Sequence, residues 1–139
     1  MKIGLDVHGV VSANPKFWEE MTAMLVSNGH EVHIITGHPH DSRLMAELRD
    51  YKVKWTHIFS IVDHHKTVGT YMWRNKKGEW EMGDRNWNKT KAEYCEKHGI
   101  NLHFDDSWFY EDFFTTPYAR YMSKDRLDKK REANRDQGS

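Results

Sequence analysis

Apolar runs of strand length recur along this chain with helix-like segments between them, and that alternation restricts the fold more than any other feature. The runs are 2–7 (KIGLDV), 31–36 (EVHIIT), 57–62 (HIFSIV) and 101–104 (NLHF), with a further candidate strand at 118–122. Strands alternating with helices predict an α/β domain, its sheet mainly parallel and covered by helices on both faces. In such sheets, ligands bind beyond the carboxyl ends of the strands. Asp6, Thr36 and the pair Asp105-Asp106 stand at those ends, which makes them the first candidates for chemistry.

The connecting segments carry their own signals. Asn14-Pro15 reads as a helix start, with Asn as cap and Pro at the first helical position. Phe17, Trp18, Met21, Met24 and Leu25 follow at helical spacing, and Asn28-Gly29 closes the segment. Leu44, Met45, Leu48 and Tyr51 outline a second helix. A third is expected from about Lys89 to His98, closed by Gly99, and a short aromatic one over 108–114. Residues 70–74 and 79–82 flank Asn75-Lys76-Lys77-Gly78, a β-hairpin signal with Gly where positive φ is needed. The expected organisation is one domain over 1–123, with a hairpin insertion at 70–82. A charged, solvated helix and tail over 124–139 complete the chain.

A chain of 139 residues suits a single domain with a modest core. Six Trp, six Tyr and six Phe supply bulk to a composition that is only 37% hydrophobic. A formal net charge of zero argues against extended nucleic-acid binding. The lone Cys95 cannot form an internal disulfide, which fits a reducing, cytoplasmic setting. No signal-like segment and no apolar run of membrane-spanning length is present, so a membrane is not an expected partner.

Four signals occur in order: a strand leading into DVHGVV, a strand ending in Thr36-Gly37, a lysine beginning a helix, and a strand ending in Asp105-Asp106. Together they resemble the haloacid dehalogenase (HAD) superfamily, mostly Mg²⁺-dependent phosphohydrolases. The stretch TKAEYCEKHGINLHFDDS is similar to the lysine–helix–strand–DD segment of its small phosphatases, and the resemblance covers roughly residues 2–120. It implies a three-layer, Rossmann-like fold with the hairpin as a minimal cap. The substrate it implies is a small phosphomonoester, a nucleotide or nucleic-acid end among the options.

The resemblance also assigns roles. Asp6 would attack phosphorus and become an aspartyl phosphate. Thr36 would donate its hydroxyl to a phosphoryl oxygen. Lys91 would set a positive charge against the developing negative charge, with Lys89 as the alternative. Asp6, Asp105, Asp106 and the backbone carbonyl of His8 would hold Mg²⁺, a hard cation that favours oxygen. Gly9 and Gly37 would let the backbone approach the phosphate. His38, His64 and Trp73 are candidates for lining the substrate mouth.

His8 departs from the phosphatase pattern, which has an aspartate there as proton donor and base. Imidazole titrates near pH 6.5 and is a competent substitute in principle. Two outcomes stay open: an atypical phosphohydrolase, or a binding module silenced at this position. In the hairpin, Tyr71, Trp73, Trp80 and Met82 read as cross-strand packing pairs, with base stacking on Trp73 or Trp80 as the alternative. The spacing of His38, His40, His57, His64 and His65 fits no compact zinc motif.

Overall fold

The structure, a computed structural model, describes residues 1–138. The chain opens with β1 (Lys2–Leu5), followed by a wide turn over Val7–Val11 and helix α1 (Pro15–Ser27). β2 (Glu31–Thr36), α2 (Ser42–Tyr51), β3 (His57–Ser60) and α3 (Ile61–Val68) come next. A two-stranded antiparallel hairpin, β4 (Trp73–Arg74) and β5 (Trp80–Glu81), leads into the long helix α4 (Asp84–His98). β6 (Leu102–Asp105), a 3₁₀ turn at Glu111–Phe113, β7 (Tyr118–Arg120) and α5 (Lys124–Gly138) finish it.

The five-stranded sheet runs β3-β2-β1-β6-β7, and each neighbouring pair is parallel. Alternation along β2 shows how the layers form. Val32 and Ile34 pack with Trp18 of α1 and with Leu44 and Leu48 of α2. Ile35, on the opposite face, packs with Cys95 of α4. Successive side chains of a strand point to opposite faces, so one buried strand serves two helical layers. The chain winds outward from β1 to β3, then crosses back to β6 on the other side of β1. The carboxyl ends of β1 and β6 therefore flank the point where the winding reverses, where crevices form in open α/β sheets.

Three sequence expectations need correction here. The run HIFSIV is not all strand: β3 stops at Ser60, whose side chain accepts the Asp63 N–H at 3.1 Å and starts α3. Ile61 and Val62 are buried as helix residues, so an apolar run hid a capped helix start. Helix α4 begins at Asp84 rather than Lys89, which puts Lys91 in the helix interior and not at its beginning. The aromatic segment after β6 forms only the short 3₁₀ turn. Among the described residues, no helix is long and apolar enough to cross a membrane.

Candidate functional site

Register delivers the first part of the site. Leu5 of β1 pairs with Phe104 of β6, so the next residues, Asp6 and Asp105, emerge side by side. The Asp6 N–H donates to the Phe104 carbonyl at 3.0 Å, which holds the two strand ends together. Helix α4 supplies the counter-charge. Thr90, Lys91, Ala92 and Cys95 form its buried face, with Lys91 and Cys95 one turn apart. Lys91 Nζ donates to Asp105 Oδ2 at 2.8 Å and to Asp6 Oδ1 at 3.2 Å. Lys89 turns outward to Glu93 at 3.6 Å. Of the two lysines, Lys91 is thus the one brought to the carboxylates.

Burial governs the electrostatics. Lys91 is 2% exposed and Asp105 is fully buried. Burial would push Asp105 upward, but Lys91 and the hydrogen bond from His103 Nε2 at 2.9 Å overcome it and hold this carboxyl well below the usual range. For Lys91, burial favours the neutral amine, but the two aspartates outweigh that and hold the ammonium. Asp6 is the member left short of positive charge. Burial, reinforced by Asp105 and Asp106 and only partly opposed by Lys91, pushes it up to about 7.

The turn after β1 shapes the other side. Gly9 has φ +90°, and a Cβ built there would overlap the Asp106 carboxylate. Only glycine meets both demands, the backbone angle and the close approach. His8 points its side chain away from the carboxylates: its Nε2 pairs with Glu47 Oε2 of α2 at 2.7 Å, and its ring lies 4.2 Å from that of His38. His8 Nδ1 is buried without a hydrogen-bond partner.

An open cleft of about 720 Å³ lies over these groups. Asp6, His8, Gly37, His38 and Lys91 line it, together with Arg43, Glu47, Trp80, Trp87 and Tyr110. Thr36 is wholly buried behind the wall, its hydroxyl accepting the His38 N–H at 3.1 Å. A Cβ on Gly37 would sit 2.6 Å from the Trp87 ring, so this glycine admits the indole against the turn. Trp87 Nε1 donates to Tyr110 Oη at 3.0 Å, and the Tyr110 ring lies 4.9 Å from Lys91 Nζ.

Two expected mouth residues stand outside the cleft. His64 packs against Phe59 and His65. Trp73 lies against Tyr71 and donates its indole N–H to Glu81 at 3.0 Å. Trp80 is the hairpin aromatic that reaches the cleft, with Lys66 and Arg74 already over its ring at 4.7 and 4.4 Å. The charged terminal segment, expected to be solvated, also reaches back: Arg126 of α5 donates to the Asp106 carbonyl at 3.0 Å.

Glu47, Trp87 and Tyr110 went unread in the sequence because each joins the site through space. Carboxylate oxygens of Asp6, Asp105 and Asp106 lie within 4.8 Å of one another. An all-oxygen set of three carboxylates is of the kind that suits a hard divalent ion such as Mg²⁺. The His8 side chain does not belong to that group. No family model, curated protein or solved structure matches this chain.

Proposed function

We propose that this chain is a small HAD-like phosphohydrolase, dependent on Mg²⁺, that cleaves a phosphomonoester through an aspartyl phosphate. The observation that carries the reading is Asp6 and Asp105 sharing the buried Lys91 ammonium where the sheet's winding reverses, with Asp6 and Lys91 in the wall of a large cleft. A phosphoryl transfer site needs an ionised nucleophile and fixed positive charge near it. Asp6 supplies the carboxylate and Lys91 the charge. As the Asp6 oxygen bonds to phosphorus, the bond to the ester oxygen breaks and the departing alcohol takes a proton. Water then releases phosphate and restores Asp6.

Asp6, Asp105 and Asp106 would hold the Mg²⁺, which would draw Asp6 to its ionised form and offset negative charge on the phosphoryl oxygens. Proton transfer would fall to His8, which lines the same cleft as Asp6 and would leave Glu47 to reach the departing oxygen. Trp87 and Tyr110 cover Lys91 and limit water around it.

A second reading, a phosphate- and metal-binding module without turnover, is favoured by one observation: His8 Nε2 is committed to Glu47 rather than aimed at the carboxylates. A panel of phosphomonoesters, nucleotides and 5′- or 3′-phosphorylated oligonucleotides included, separates the two. The first reading expects phosphate release that requires Mg²⁺ and disappears in Asp6→Asn. The second expects silence in the native chain and release in His8→Asp. Silence in both would remove the hydrolase reading.

A further inference from the structure

The opposite end of the sheet carries a second group of ligating side chains. Glu31 and His33 lie two residues apart on β2 and so share a face, and His33 is the register partner of His57 on β3. The two imidazoles stack, with centroids 4.1 Å apart and planes 8° apart. His33 Nε2 and His57 Nδ1 lie 2.8 and 3.6 Å from one oxygen, Glu31 Oε1. We propose that Glu31, His33 and His57 form a cation site for a borderline divalent ion such as Zn²⁺, separate from the aspartate cluster and of different selectivity.

The donor set supports this assignment. Two imidazoles and one carboxylate are a recurrent Zn²⁺ ligand set, with further positions left to water. Imidazole nitrogen ranks Zn²⁺ and Cu²⁺ far above Mg²⁺, whereas an all-oxygen cluster is of the kind that Mg²⁺ accepts. All three groups offer ligand atoms within 4.8 Å of one another. His33 is 1% exposed, and its other nitrogen, Nδ1, lies 2.7 Å from Tyr94 Oη. A tyrosine hydroxyl donates or accepts, so His33 can give up the Nε2 proton to make way for a cation without losing its orienting partner.

Glu31 and His57 are partly exposed, which gives an ion a way in. His57 Nδ1 also lies 2.9 Å from Thr56 Oγ1, an exposed contact that it would exchange for the ion. Lys2, 3.8 Å from Glu31, is itself partly exposed, so it can swing aside.

The test is calorimetric titration of the whole chain with Zn²⁺ in excess Mg²⁺, paired with Co²⁺ visible absorption to report nitrogen ligands. One equivalent is expected to bind, weakened roughly tenfold or more in His57→Ala and in Glu31→Gln. Both positions are at the surface, and circular dichroism verifies that the variants stay folded. His30→Ala, which alters the histidine paired with the Met1 amino group instead, is expected to leave binding unchanged. Absence of saturable binding, binding that survives both site variants, or binding lost with His30→Ala or Asp106→Asn would each overturn the proposal.

Discussion

At the carboxyl ends of β1 and β6, aspartates gather round one buried ammonium. At the amino ends of β2 and β3, two imidazoles gather round one carboxylate that solvent can reach. Both groups come from strand register, yet their energetic standing differs. Lys91 and Asp105 are removed from water, so each depends on the other for its charge. Glu31 and His57 keep contact with solvent and can lose a partner cheaply. The same sheet thus has one end where chemistry and stability are inseparable and one where they part.

The sharpest way to break that contrast is Lys91→Met. It leaves Asp105 a buried charge without its cation, and loss of about 3–5 kcal/mol is expected, read from urea denaturation. Lys89→Met is expected to change neither stability nor phosphate release. Equal damage from Lys89→Met would move the ammonium role to the wrong lysine.

Gly9→Ala comes next, with about 1–3 kcal/mol lost through the φ of +90° and the overlap with Asp106. Weaker Mg²⁺-dependent thermal stabilisation should accompany it, because Asp106 must move.

Acidification tests both ends together. Burial holds His33, His65 and His103 below the ordinary histidine value, so the unfolded chain takes up their protons first. Their stabilisation is complete above about pH 6.5 and is lost as pH falls from there toward their lower folded values. Asp6 works in the opposite direction: raised to about 7, its ionisation penalises the fold above that pH and less below it. Burial holds His38 and His98 down in the same way, so five histidines oppose one carboxyl and the urea midpoint is expected to fall as pH drops below about 6.5. In Asp6→Asn, which removes the opposing group, the gain in midpoint over the native chain should be larger at pH 8 than at pH 5.

The smallest expected effect is His57→Ala in the metal-free chain, within about 0.5 kcal/mol of the native protein. A loss as large as that of Lys91→Met would erase the distinction between the two ends.

How much of this was legible in the sequence varies with the range of the interaction. Asp6, Thr36 and Asp105 could be read as strand ends because those are local features, whereas the reversal of winding between β1 and β6 needed the strand order. Lys91 could be read only as one of two lysines, since choosing between them needs the buried face of α4, fixed by Cys95 one turn on. The Ser60 cap was masked by Ile61 and Val62, β-branched residues that satisfy a strand and a buried helix alike. Glu47 meets His8 across 39 residues, and Trp87 meets Tyr110 across 23, with no motif to announce either contact. The pairing of His33 with His57 is a matter of register, which spacing along one chain does not encode.

The indole of Trp87 seated against Gly37 has a mechanical consequence. The helix bearing Lys91 is keyed into the turn bearing His38, as a tenon sits in a mortise. Sliding one past the other would unseat the indole, so movement of the two walls of the cleft is expected to be coupled. Any widening of the entrance must then come from the side of α2 and the hairpin, where Arg43, Glu47 and Trp80 stand.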